Sequence, residues 1–275
     1  NIPANDYRRS FIEIMNPQGQ ASSIMRTTFL PGLLKNAVYN FNHGQENIKL
    51  FELNKVFFTS DKKLGTEKWV ISGVLSGKIA PIHWKNKTEN INFFYLKGLI
   101  ETLLALFPIN KYEIVPSDEP FYQVNLAAQI RIGKQVIGTF GKFDPKVAGK
   151  FEYDKEIFGF EIDFNECLKY MNKKGVVFKE ISKLQTVSRD LSFIVSKEYP
   201  VQSIINDIIQ CNAKLIKEVI PFDEFTGKQI QTGFRSISFN ILLVPETNNL
   251  TDDYINDLIN SIIDKLKSKY HIEMR

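Results

Sequence analysis

RDLSFIVS, residues 189–196, alternates polar and apolar side chains with a period of two. That is the pattern of a strand with one face in a core. Leu191, Phe193 and Val195 are expected on the buried face, with Asp190 and Ser192 on the other. VQSIINDIIQCNAKL (201–215) follows, with Val201, Ile204, Ile205, Ile208 and Ile209 at helical spacing. EVIPFDEF (218–225) and FRSISFNILLV (234–244) read as two strands around a turn that holds Gly227. In the second, Ile237, Phe239, Ile241 and Leu243 are expected inward, leaving Ser236, Ser238 and Asn240 outward. Thr251 is the expected cap of a last helix, with Asp252 and Asp253 in the turn where the helix dipole favours carboxylates. HIEM (271–274) is a closing strand. The order is βαββαβ, the split βαβ of a ferredoxin-like domain.

Upstream, the polar stretch NKKGV (172–176) is the best boundary, and it divides the chain into residues 1–175 and 176–275. In SSIMRTTFLPGLLKNAVYNFNHG, Thr27 or Thr28 is the expected cap of a helix, with Pro31 in its first turn and Gly44 as its stop. IKLFELNKVFF (48–58) and WVISGVLSG (69–77) read as strands. Residues 92–107 read as an apolar helix whose inner side includes Leu96, Ile100 and Leu104. LAAQIRIGKQVIGTFG (126–141) reads as two strands around Gly133-Lys134, with GTFG (138–141) itself expected to be a tight turn. Asp144-Pro145 is an expected helix start, residues 157–163 a strand and residues 165–171 a short helix. The mixture of helices with antiparallel-looking strands is α+β.

A length of 275 residues fits two domains, and 43% hydrophobic with 24% charged residues is a globular balance. The net charge of +4 is unevenly spread. Residues 1–178 hold 23 Lys+Arg against 18 Asp+Glu, and residues 179–275 hold 12 against 13. Neither part is polybasic, so any RNA partner must be held by local contacts. Two distant cysteines, Cys167 and Cys211, make no disulfide framework or zinc pattern, and a reducing, cytoplasmic setting is expected. No apolar run approaches the ~20 residues of a membrane span. His43, His83 and His271 sit in separate elements, which argues against a histidine-built metal site.

MRTTFLPGLLKNAVYNFNHGQENIKLFELNKVFF (25–58) resembles the core of the bacterial phenylalanyl-tRNA synthetase β subunit. FKEISKLQTVSRDLSFIVS (178–196), FDEFTGKQIQTGFRSISFNILL (222–243) and LTDDYINDLINSIIDKL (250–266) are similar to that subunit's anticodon-binding domain. RTTFLPGLL, LFELNKVF, RDLS and LTDD are the most specific parts. The resemblance implies a class II synthetase-like antiparallel sheet for residues 1–175 and a ferredoxin-like anticodon-binding domain for residues 176–275. It also implies a longer parent chain of which this is the C-terminal part, in keeping with a first residue that is not Met. The parent enzyme of the family charges tRNA(Phe) with phenylalanine, using ATP and Mg²⁺. It does so as an (αβ)₂ heterotetramer in which the α subunit is catalytic. No cofactor is implied for the present residues.

The residues argue against catalysis in this chain. Where the family of class II motif 2 sequences ends in an ATP-binding Arg, NKVFF (54–58) ends in Phe58. A phenyl ring cannot clamp a phosphate as a guanidinium does. The counterpart of motif 3, GFEIDFNECL (159–168), offers Glu161, Asp163 and Glu166 and no Arg. Carboxylates there would repel ATP. Residues 1–175 are therefore expected to be scaffold, or an interface with the α subunit built on the helices at 30–43 and 93–107.

RNA reading is assigned to the second domain. If the register turns Asp223 and Phe225 outward, the free sheet face holds a carboxylate, an aromatic ring and several hydroxyls. A carboxylate can accept both N1–H and N2–H of guanine, the first base of a phenylalanine anticodon, so Asp223 is expected to read it. Phe225 would stack on a base and Ser236 would bond near the same or the third base. Arg189, Lys228 and Arg235 would hold phosphates. Arg189 could instead pair with an acid such as Asp190. Two other functions stand beside this one: a protein-interaction scaffold without RNA contact, and an autonomous class II ATP-dependent ligase.

Overall fold

The protein is described from a computed structural model, over residues 2–19, 23–60, 65–85, 87–109, 111–171, 184–227, 229–245 and 249–274. The stretch NKKGV, expected to hold the domain boundary, lies outside the described residues. The chain divides into two compact units, Asn1–Val177 and Phe178–Arg275.

In the first unit α1 (Leu30–Asn42) is followed by β1 (Ile48–Phe58), β2 (Thr66–Ser76), α2 (Phe93–Leu106), β3 (Glu113–Pro116), β4 (Tyr122–Ile132), β5 (Gln135–Phe143), α3 (Pro145–Gly149), β6 (Ile157–Asp163) and α4 (Phe164–Tyr170). The six strands form one sheet in the order β1-β2-β6-β5-β4-β3, and every neighbouring pair is antiparallel. The middle of the sheet, at β6, is buried on both sides. Leu30, Leu33, Leu34 and Ala37 of α1 pack with Val56, Val70 and Val74 on one face. Leu96, Ile100 and Leu104 of α2 pack with Leu75, Phe140, Phe158 and Phe160 on the other.

Two local expectations change, and one strand was not expected. Neither Thr27 nor Thr28 is the N-cap residue; Phe29 is, and its side chain makes no cap bond. The Thr28 hydroxyl still accepts from Leu30 N at 3.3 Å, and Glu161 of β6 takes the Phe29 N–H at 2.9 Å. A carboxylate 132 residues away thus supplies the cap. GTFG is not a turn but lies within β5. A Cβ at Gly138 would come within 2.9 Å of Glu161 O, and one at Gly141 within 2.7 Å of Leu126 O. These glycines let neighbouring strands close in. The four-residue strand β3 had no reading in the sequence.

In the second unit β7 (Val187–Ser196), α5 (Val201–Cys211), β8 (Ile216–Phe225), β9 (Phe234–Leu243), α6 (Asp252–Tyr270) and β10 (Glu273–Met274) form the βαββαβ order. The sheet order is β10-β7-β9-β8, all antiparallel. Leu191, Phe193, Val195, Ile237, Phe239, Ile241 and Leu243 are buried against α5 and α6, as the alternation requires. Thr251 caps α6 by accepting from Tyr254 N. The fold class expected from the sequence, α+β with a ferredoxin-like second part, is the one observed. Among the described residues no helix is long and apolar enough to cross a membrane.

Candidate functional site

The second sheet leaves one side without helices. β7 and β9 pair in unbroken register, with Ser192 opposite Ser238 and Asp190 opposite Asn240. The Ser192 and Ser238 hydroxyls are 2.7 Å apart, and Asn240 Nδ2 donates to Asp190 Oδ1 at 2.6 Å. On β8 the register breaks. Pro221 faces Phe239, whereas Asp223 faces Ser238, so Phe222 is an extra residue in the strand. That β-bulge changes the side on which the following residues stand. Val219 and Pro221 lie in line with Ile241 and Phe239 of the core, while Asp223 and Phe225 lie in line with Ser238 and Ser236 on the helix-free side.

Asp223 is exposed and Phe225 is 38% exposed. Ser236 shares their side but is only 2% exposed, between Ile194 on β7 and Phe225 on β8. The Phe225 ring also lies over Gly227, where a Cβ would meet it at 2.6 Å. The fold therefore brings together Asp223, Phe225 and Ser236.

The expected phosphate-binding residues are not brought to this group. Arg189 faces Ile241 and Arg235 faces Val195, which puts both on the helix side of the sheet. Arg189 stands 3.6 Å from Asp252 at the start of α6 and donates to Ser188 O at 3.0 Å. Its acidic partner is thus Asp252 rather than Asp190. Arg235 donates to Tyr199 O at 2.9 Å and stands 3.3 Å from Glu224. Lys228 lies outside the described residues.

The first unit holds a cavity of about 440 Å³ on the α1 side of its sheet. A row of polar side chains runs across the strands beneath it. Ser72 of β2 faces Glu161 of β6, Glu161 faces Thr139 of β5, and Thr139 faces Gln129 of β4. Leu30, Val56, Phe58, Val70 and Phe121 supply apolar walls. Phe58 is part of the wall, its ring 5.6 Å from that of Tyr7.

Among the described residues two cations, Arg8 and Lys68, line this cavity. Arg8 is spent on acids: its Nε and Nη2 donate to Asp6 at 2.8 and 2.6 Å, and Nη2 also donates to Glu119 at 2.7 Å. Lys68 stands 3.8 Å from Asp163. Glu161 Oε2 accepts from Thr28 Oγ1 at 2.8 Å and from Phe29 N at 2.9 Å. Burial pushes its carboxyl up to about 6, against the pull of those two hydrogen bonds. Asp163 caps α4 by accepting from Glu166 N at 3.0 Å, and Glu166 pairs with Lys169 at 2.6 Å. Among the described residues no group of three or more His, Cys, Asp and Glu is arranged to hold a metal ion. Sequence reading missed Tyr7, Arg8 and Glu119. The Arg8–Glu119 bond spans 111 residues, and no local pattern announces it.

The antiparallel sheet with its carboxylate-lined cavity and the ferredoxin-like unit each match a family model, and the matches give the class: part of an aminoacyl-tRNA synthetase subunit. Residues 1–164 match the family model described as the phenylalanyl tRNA synthetase beta chain CLM domain. Residues 182–275 match the ferredoxin-fold anticodon binding domain. The chain belongs to the phenylalanine–tRNA ligase beta subunit family. The beta subunit from Syntrophotalea carbinolica is 30% identical over 273 residues, covering 98% of this chain and 34% of that one. The one from Fusobacterium nucleatum is 32% identical over 272 residues, covering 96% and 33%. This chain thus spans about a third of the length of the relatives it matches. Among solved structures, a pyrrolysyl-tRNA synthetase from Desulfitobacterium hafniense overlaps 61% of this chain and 55% of its own. Its TM-score is 0.45 and its identity 14%.

Proposed function

We propose that this chain is a non-catalytic part of a phenylalanine–tRNA ligase beta subunit. Residues 176–275 bind the tRNA(Phe) anticodon, and residues 1–175 pack on the catalytic α subunit. The observation that carries the reading is the grouping of Asp223, Phe225 and Ser236 on a sheet side free of helices. An exposed carboxylate beside an exposed ring suits an unpaired base, through its Watson–Crick edge and its face. Asp223 accepts N1–H and N2–H of the first anticodon guanine, and Phe225 stacks, at roughly 1–3 kcal/mol per base. Ser236 supports them from beneath. Arg189 and Arg235, turned toward the helices, hold Asp252 and the Tyr199 carbonyl instead of phosphates.

The α-subunit surface is proposed for α2, whose Phe94 and Leu106 are 78% and 74% exposed. In the parent (αβ)₂ complex, in the cytoplasm, ATP and Mg²⁺ belong to the α subunit. The cavity of this chain does not suit a triphosphate: carboxylates line it, and its Arg8 is held by Asp6 and Glu119.

Titration of the 275-residue chain with an anticodon stem-loop tests the reading. Binding should weaken when the first anticodon guanine is replaced and when Asp223 becomes Ala. Equal binding of the guanine and replaced stem-loops would refute the role of Asp223. ATP–pyrophosphate exchange by this chain alone would refute the non-catalytic assignment.

A further inference from the structure

Glu161 is the one carboxylate in the middle of the polar row beneath the first unit's cavity. Its Oε2 carries both hydrogen bonds, from Thr28 and Phe29. Its Oε1 has no partner among the described residues. Burial raises this carboxyl to about 6, so at neutral pH it is ionised, and among the described residues the two cations that line the cavity each stand beside another acid. Arg8, the guanidinium that lines the same cavity, pairs through Nε and Nη2 with Asp6 and Glu119, and Lys68 stands 3.8 Å from Asp163. The cavity is of the size that takes small organic molecules. Its apolar walls, with the rings of Tyr7, Phe58 and Phe121, suit a hydrocarbon or aromatic body. Three carboxylates, Glu119, Glu161 and Asp163, line it, which disfavours an anion.

We propose that this cavity binds a small primary amine with an apolar body, its ammonium donating to Oε1 of Glu161. The ammonium supplies the missing counter-charge, and its remaining N–H groups face Thr139 and Gln129 of the same row. A charge-assisted hydrogen bond to the carboxylate is the driving force, and burial of the apolar body adds to it. The site is independent of the anticodon reading, because it lies wholly within residues 7–163.

The test is titration of the unaltered 275-residue chain with phenethylamine, 2-phenylethanol and 3-phenylpropionate, followed by methyl NMR. The three share a phenyl body and differ in the charge of the head group. Phenethylamine should shift the methyl resonances of Leu30, Val56 and Val70 at up to about 10 mM, where a millimolar site is mostly filled. The alcohol should bind at least tenfold more weakly and the carboxylate not at all. Glu161→Gln should lower phenethylamine affinity at least tenfold, while its amide oxygen still accepts from Thr28 and Phe29 to keep the helix capped. Equal binding of amine and alcohol, a preference for the carboxylate, shifts confined to residues outside the cavity, or no shift at all would each overturn the proposal. The comparison of the three ligands needs no variant, so a Glu161→Gln chain that failed to fold would leave that test intact.

Discussion

Asp223 pairs across the strand with Ser238, one residue out of the register that Pro221 and Phe239 set. The offset is Phe222. Without it Asp223 and Phe225 would continue the line of Val219 and Pro221, on the side of the sheet that α5 covers. Deleting Phe222 should therefore abolish stem-loop binding, since Asp223 and Phe225 would leave the helix-free side. Phe222→Ala removes only a half-exposed side chain and should change stability by about 0.5 kcal/mol or less. The two variants are compared by urea denaturation and stem-loop titration; equal behaviour would show that the register is not what matters.

Asp223→Ala should cost about 1.5–3 kcal/mol of stem-loop affinity, the range for hydrogen bonds to a charged group. Ser236→Ala should cost less, because its hydroxyl is covered while Phe225 stays in place. Fluorescence anisotropy with labelled stem-loops separates the two, and a larger effect at Ser236 would reverse their assigned roles.

The second unit's near-balanced charge also sets its salt response. With Arg189 and Arg235 turned to the helices, few phosphates are contacted. The affinity of residues 179–275 for the stem-loop should fall only shallowly with salt, with a log–log slope of about −1 to −2. A slope steeper than about −4 would mean that a basic surface elsewhere carries the binding.

Asp207 is the buried acid of the second unit. It accepts from Lys269 Nζ at 2.6 Å and from the Tyr270 hydroxyl, and Lys265 Nζ reaches its main-chain carbonyl at 2.9 Å, joining α5 to α6. Burial alone would raise its carboxyl, but the bonds from Lys269 and Tyr270 outweigh that and hold it below the usual value. A lowered carboxyl contributes stability above its unfolded value, and the contribution is lost as pH falls through the folded one. Asp207→Asn should cost about 1–3 kcal/mol at pH 7, discounted because Lys269 is half exposed, and should flatten the acid limb of a far-UV melting profile.

Glu161 has the opposite sign. Its carboxyl rises from an ordinary 4.5 to about 6, so between those values the folded first unit holds the extra proton. Stability should fall, by at most about 2 kcal/mol, as pH rises through that window. Trp69 and Trp84 are the chain's only tryptophans and both lie in the first unit, so their fluorescence reports its melting alone. Glu161→Gln should remove the slope; an unchanged slope would place its origin elsewhere.

Much of the fold was legible because local patterns encode it. The period-two run of Leu191, Phe193 and Val195, the helical spacing of Ile204 and Ile208 and the Thr251 cap each follow from a few adjacent residues. Phe58 and Glu161, read as incompatible with ATP, line one cavity. The distant relationships were illegible. Glu161 capping α1 from 132 residues away, and Arg8 reaching Glu119 across 111, leave no trace in local spacing. GTFG was misread because glycines that admit a neighbouring strand look, in sequence, like glycines that make a turn. The sequence by itself determined that Asp223 and Phe225 share a side, two residues apart on a strand. Only the tertiary structure decided which side, because a single extra residue in a strand reverses its faces, and hydrogen-bond register with β9 is where that residue is counted.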